Sequence, residues 1–242
     1  MSGASGLVIG VGASTGLGAA VARRMALAGL HVVVAGRTRD RLDQVVGEIG
    51  DAGGKSSAVV CDATSAEDVA SAVAAAESIA PMSLAVFNAG GNRPRALLES
   101  DPAFFEEMWR VGCFAGHLFT LHAAPPMLAR GSGTLIFTGA SASLRGRAGF
   151  EAFASAKAGL RAIAQAAARE FGPKGVHVAH VVIDGAIDGE RVNTRLPHYK
   201  DEKGPDGMLS LDAIAEAYWQ IHLQHRSAWT HELDLRPWAE PF

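Results

Sequence analysis

Cysteine is scarce in this chain: two residues in 242, Cys61 and Cys113, each inside an apolar segment. Two thiols without metal-ligand spacing exclude a disulfide framework and a cysteine-built metal site, and both are expected to be buried core thiols. No metal-binding cluster is expected. Charge of one sign is nowhere concentrated; 22 basic and 25 acidic residues leave a net charge of −3. A nucleic-acid surface or a membrane-binding face is therefore not expected. No apolar run approaches the ~20 residues needed to span a bilayer. The start of the chain lacks the charged stretch, apolar run and cleavage site of a secretion signal. A soluble, cytoplasmic protein is the expectation. Internal repeats and low-complexity linkers are also lacking.

What is present is a core-forming chain, 48% apolar, in which short apolar runs alternate with longer helical patterns. Strands are predicted over 6–11, 30–36, 56–62, 83–90, 133–139 and 175–185, with a short one near 229–235. Helices are predicted over 16–29, 39–53, 65–79, 101–129, 151–171 and 211–224. Gly29 is placed to end the first helix. Ser65 and Asp68 have nearly the spacing of a capping box. Pro125 and Pro126 are expected to disturb the long helix. The strands are apolar throughout, which suits parallel strands buried on both faces. Strand–helix repetition with short links predicts a doubly wound parallel sheet in one three-layer α/β domain covering 1–242.

"GVGASTGLG" joins the first strand to the first helix, with Gly10, Gly12, Gly16 and Gly18 allowing a tight turn. A helix N-terminus beyond such a turn offers free N–H groups and a positive dipole end to a phosphate. Gly12, Ser14, Thr15, Gly16, Leu17 and Gly18 are the candidates to cradle it. At the end of the second strand, enzymes that bind NAD usually carry an acid for the ribose 2′-hydroxyl. Here Gly36 is followed by Arg37, and a guanidinium suits the 2′-phosphate of NADP(H).

In this order, "VGASTGLG", "CDAT", "FNAGG", "AFASAKAGL" and "VVIDGAI" resemble five segments of the short-chain dehydrogenase/reductase family. The resemblance covers most of the chain and implies a Rossmann-like fold. It implies that Asp62 and Ala63 meet the adenine, that Asn88, Ala89 and Gly90 line the ribose, and that Gly185 and Ile187 hold the nicotinamide amide. It implies a homodimer or homotetramer built on the helices at 101–129 and 151–171, and a mobile substrate loop at 186–210. In the family a Tyr-x-x-x-Lys pair supplies a proton donor and a ribose-binding ammonium, helped by a serine and an asparagine. This chain keeps Lys157 but carries Phe153 at the tyrosine position, and a phenyl ring cannot donate a proton. Gly112 stands where the asparagine is expected. Ser141 is the choice for the serine, twelve before Phe153, with Ser143 in reserve. Asp184 replaces the proline of the family's Pro-Gly segment.

The resemblance thus implies an NADP(H)-dependent oxidoreductase acting on a carbonyl or alcohol, with a non-standard proton donor. His117, His198, Tyr199, Glu151 and Asp184 are other ionisable candidates, and Arg145 and Arg147 are placed to bind an anionic substrate. Two alternatives stay open: an NADP(H)-binding sensor or partner subunit without turnover, and a reductase of an activated C=C or C=N bond. The tail "RPWAEPF" is expected to cover a pocket, its own or a neighbour's.

Overall fold

The computed structural model describes residues 3–241. Seven strands form one parallel sheet in the order β3-β2-β1-β4-β5-β6-β7. The strands are β1 (Ser5–Ile9), β2 (His31–Gly36), β3 (Lys55–Val60), β4 (Met82–Phe87), β5 (Gly133–Thr138), β6 (Val176–Ile183) and β7 (Glu232–Leu235). Their side chains alternate between two cores, as the period of a strand requires. Val8, Val32, Val34, Val86 and Val181 pack under α1 (Leu17–Leu27), α2 (Arg39–Asp51) and α9 (Leu211–Leu223). Leu7, Ile9, Val33, Phe87, Phe137 and Val178 pack under α3 (Ala66–Ile79), α5 (Ala115–Arg130) and α6 (Glu151–Phe171). A strand apolar on both faces needs a helical layer on each side, so the continuous apolar runs specify the Rossmann-like α/β fold. Both cysteines are free and buried.

The order of strands reverses between β1 and β4, and in such sheets ligands bind at that switch point. Phe87, the last residue of β4, meets Phe119 and Phe137 at ring-centroid distances of 5.7 and 6.4 Å. Such aromatic pairs are each worth ~0.5–1.5 kcal/mol beyond burial, and they fix the floor from which Asn88 emerges.

The predicted long helix is three pieces end to end. α4 (Pro102–Trp109), capped by Asp101, runs into a π turn at Arg110–Phe114 and then α5. The prolines do not end it: Pro125 and Pro126 lie inside α5, which continues to Arg130 and stops at left-handed Gly131. Leu121 is exposed and His122 half-buried, so water can serve the carbonyls that lose their N–H partners. The predicted loop at 186–210 also holds two short helices, α7 (Glu190–Arg195) and α8 (Tyr199–Lys203).

Candidate active site

The turn after β1 approaches the end of β4 so closely that a Cβ on Gly18 would stand 2.8 Å from the Gly10 carbonyl and 3.0 Å from Asn88 Nδ2. Asn88 Nδ2 donates to that carbonyl at 3.0 Å. At Gly36 a Cβ would stand 2.1 Å from the Val11 carbonyl. Only glycine lets β2 pass beneath the turn and deliver Arg37 to its side. Gly12 faces open space. Gly16, at the α1 N-cap, offers no capping side chain, and the first turn of α1 holds no acid. The uncapped N–H groups and open cradle fit a phosphate. Ser14 is otherwise engaged: its hydroxyl donates to Glu48 at 2.6 Å, while Arg23 donates to the Ser14 carbonyl and to Glu48 at 2.9 Å. The Ser14 hydrogen bond, chiefly, holds the Glu48 carboxyl below the usual range.

Arg37 is exposed and makes no hydrogen bond or ion pair with any described residue. Its neighbours differ: Arg39 pairs with Asp43 at 2.8 Å and Arg41 with Glu190 at 3.2 Å. Asp62 accepts hydrogen bonds from the Thr64 amide and hydroxyl at 2.9 and 2.8 Å. These, then the cations Arg37 and Arg110, hold its carboxyl below the ordinary range. Ala63 is buried beside it.

Lys157 projects from α6 into the base of this cleft. It is 5% exposed, and its ammonium donates to the Thr138 carbonyl at 2.7 Å. Burial first, and the charge of Arg191 second, push its pKa down to about 8. A Cβ on Gly90 would stand 3.2 Å from Nζ, so Asn88–Ala89–Gly90 runs directly beside the amine. Thr138 is itself held by the buried Tyr218, whose hydroxyl donates to Thr138 Oγ1 at 2.9 Å.

Around Lys157 the other expected residues separate. Phe153 packs with Phe104, Met108 and Ala152 as the partly buried member of an apolar cluster. Gly112 sits in the π turn, where a Cβ would stand 2.8 Å from the Ala156 Cβ. The crossing with α6 has no room for a side chain there. Ser141 opens a short 3₁₀ turn, Ser141–Ser143, and its hydroxyl makes no hydrogen bond among the described residues. Ser143, the reserve, is buried and committed: its Oγ accepts from the Ala140 amide at 3.1 Å and lies 3.3 Å from His180 Nε2. His180 Nδ1 in turn lies 3.0 Å from Glu232, which Arg161 grips at 2.6 and 2.7 Å. Burial pushes the His180 pKa down to about 4 against the pull of Glu232. The neutral ring donates through Nδ1 and accepts the Ser143 proton at Nε2, which fixes the turn carrying Ser141.

Several candidates lie elsewhere or are already taken. Arg145 pairs at 3.1 Å with the buried Asp184, which Arg236 also meets at 3.0 Å, so Arg145 is not free for a substrate anion. Arg147 lies over the Phe150 ring, 5.8 Å from its centroid. His117 is exposed, with its ring centroid 6.4 Å from that of Phe114. His198 is exposed, and Tyr199 opens α8 with the Lys203 ammonium 5.3 Å from its ring centroid. Glu151 is half-buried, and its Oε1 has no hydrogen-bond partner among the described residues. Ile187 bridges to Leu209, and a Cβ on Gly185 would stand 2.7 Å from Pro237. The tail therefore covers its own chain's segment: Glu240 pairs with Lys203 at 3.0 Å. Sequence reasoning missed Arg191 and Arg195 of α7 and the pair of buried His180 with half-buried Glu232; none belongs to a spaced motif.

The short chain dehydrogenase family model matches residues 7–198. The chain belongs to the short-chain dehydrogenase/reductase family, whose members are oxidoreductases. It is 33% identical over 227 residues to the short-chain reductase protein NovJ of Streptomyces niveus, covering 93% of this chain and 85% of that one. A short-chain dehydrogenase structure from Rhodopseudomonas palustris superposes with a TM-score of 0.84 at 39% identity, covering 97% of this chain and 99% of that one. A metagenomic short-chain oxidoreductase solved in complex with NADP superposes with a TM-score of 0.81 at 26% identity, covering 96% of each chain. Among the described residues no helix is long and apolar enough to cross a membrane, and no group of three potential ligands gathers to hold a metal.

Proposed function

We propose that this protein is an NADP(H)-dependent oxidoreductase that interconverts a carbonyl and an alcohol on a small molecule. The observation that carries the reading is Lys157, an ammonium buried at the base of the switch-point cleft beside Asn88, Ala89 and Gly90. A buried cation with one carbonyl acceptor keeps donors for ribose hydroxyls. The N–H groups from Gly12 to Gly18 and the start of α1 hold the diphosphate. Asp62 and Ala63 border the adenine, and Gly185 and Ile187 the nicotinamide amide. Arg37, which makes no hydrogen bond or ion pair with a described residue, takes the 2′-phosphate, and the NADP-bound relative supports that preference. When bound, the dinucleotide supplies or accepts the hydride. Ser141 orients the substrate oxygen with its free hydroxyl.

Phe153 supplies no proton, so another group or solvent must. General acid catalysis is typically worth ~10²–10⁴-fold, and its loss slows a reductase without abolishing hydride transfer. The paired absence at Phe153 and Gly112 favours, as a second reading, a protein that binds NADP(H) with little turnover. A substrate with an activated C=C or C=N bond is the third. The exposed Phe105, Trp109 and Leu121 on α4 and α5 give a second copy an apolar surface, consistent with a homo-oligomer. The buried free thiols suit the reducing cytoplasm.

Titration with NADPH and NADH tests the cofactor assignment. NADPH is expected to bind at least tenfold more tightly, and Arg37→Ala to remove most of that preference. Equal affinities, unchanged by the substitution, reject Arg37 as the 2′-phosphate ligand; binding of neither nucleotide rejects the oxidoreductase reading.

A further inference from the structure

The short helix α7 is fastened at both ends. At its start the Glu190 amide donates to the Thr15 carbonyl in the glycine turn at 3.1 Å, and the Glu190 carboxylate pairs with Arg41 at 3.2 Å. At its end Arg195 Nη1 donates to the Asn92 carbonyl at 3.0 Å, just past Gly90. The helix thus bridges the cleft from the glycine turn to the segment beside Lys157.

The arginines of this neighbourhood are mostly neutralised. Arg93 pairs with Glu107, Arg95 with Asp101 at 2.7 Å, and Arg145 with Asp184 at 3.1 Å. Arg191 is not. The acids on either side of it are occupied, Asp188 by Lys200 at 2.7 Å and Glu190 by Arg41. Arg191 itself makes no hydrogen bond or ion pair with any described residue. Arg191 is solvent-exposed on the cleft side of this bridge, and partial desolvation, then the charge of Arg195, lowers its pKa. Arg191 in turn depresses Lys157. Arg195 and Lys157 each meet a backbone carbonyl and no carboxylate. Three cations are therefore gathered along one cleft, none of them paired with a carboxylate among the described residues, and an anion entering there meets all three. A guanidinium presents planar, paired N–H donors that match an oxyanion in a fork.

We propose that Arg191, flanked by Lys157 and Arg195, is the receptor for an oxyanion, phosphate or carboxylate, that a ligand carries into the cleft. Two ligands bring such a group: the dinucleotide through its diphosphate, or a substrate bearing a carboxylate or phosphate. The first source rests on the cofactor assignment above; the second needs only the cleft. Neither Arg145 nor Arg147 takes this part.

The test uses the full chain, Arg191→Gln, and Arg226→Gln as a charge control remote from the cleft. NADPH and adenosine 2′-monophosphate are titrated by fluorescence or calorimetry. Melting is followed with inorganic pyrophosphate, phosphate or succinate at constant ionic strength, with and without saturating NADPH. If the diphosphate is the anion, Arg191→Gln weakens NADPH at least tenfold and leaves adenosine 2′-monophosphate within twofold. If a substrate supplies it, NADPH affinity is unchanged. Succinate or phosphate then raises the melting temperature of the wild-type NADPH complex but not that of Arg191→Gln. Equal responses of wild type and Arg191→Gln to every probe overturn the assignment, as does an equal loss in Arg226→Gln. If the wild type binds no NADPH, the cofactor reading fails by itself. Pyrophosphate on the ligand-free protein still decides the role of Arg191.

Discussion

An ammonium inside a protein costs free energy unless acceptors or an anion surround it, and Lys157 has one backbone carbonyl. Its pKa falls from 10.5 to about 8, so the native state disfavours the charged form that the unfolded chain keeps. Between about pH 8 and 10.5 the unfolded chain binds more protons than the native one, and stability rises with pH across that window. At pH 7 the penalty is fully present, on the order of 3 kcal/mol. Lys157→Met is therefore expected to melt higher than wild type at pH 7, with the gap closing as pH approaches 10, while nucleotide affinity falls. Denaturant melts at several pH values check this; a gap that does not vary with pH would separate Lys157 from the titration. At Phe153 the ring already occupies the cluster with Phe104 and Met108. Phe153→Tyr is expected to raise reductase turnover ~10–100-fold in a carbonyl screen, below the upper range for acid catalysis because the asparagine is also missing. An unchanged rate would place the deficit elsewhere.

At the scale of elements, the crossing of the π turn and α5 on α6 controls what surrounds Lys157. A Cβ at Gly116 would stand 2.2 Å from Leu160 Cδ1, and one at Gly159 2.6 Å from Cys113 Sγ. The helices approach to the limit that glycine allows. Gly112→Asn is expected to cost ~1–3 kcal/mol through overpacking, and adding Ala156→Gly to recover a large part of it. Chemical denaturation of both variants measures the recovery, and simple additivity of the two changes would refute the clash. The same elements show what sequence conveys. Strands buried on both faces declare themselves by apolar runs, and Lys157 by its place in an ordered set of motifs. Helices as short as α7 and α8 leave no period to read. The prolines of α5 stay within the helix; a local rule does not say which carbonyls face water. Sequence alone leaves Arg145 without a visible partner, because Asp184 comes from just past the end of β6 and pairing across the fold leaves no local trace.

Over the whole molecule, the tail from Pro237 fastens the segment after β6 to the rest of the fold through Gly185 and Lys203. Removal of residues 237–242 is expected to lower the melting temperature by a few degrees, ~1 kcal/mol for a domain of this size, with the solution mass unchanged. A drop in mass by gel filtration would show instead that the tail joins copies. The contact of Gly112 with Ala156 has a consequence of another kind. A side chain at 112 is costly as a single step, because the substitution meets a filled space that a paired change at 156 opens. Positions 112 and 156 are therefore coupled in sequence: which residue one of them tolerates depends on the size of the other, and the order in which the two change decides the cost.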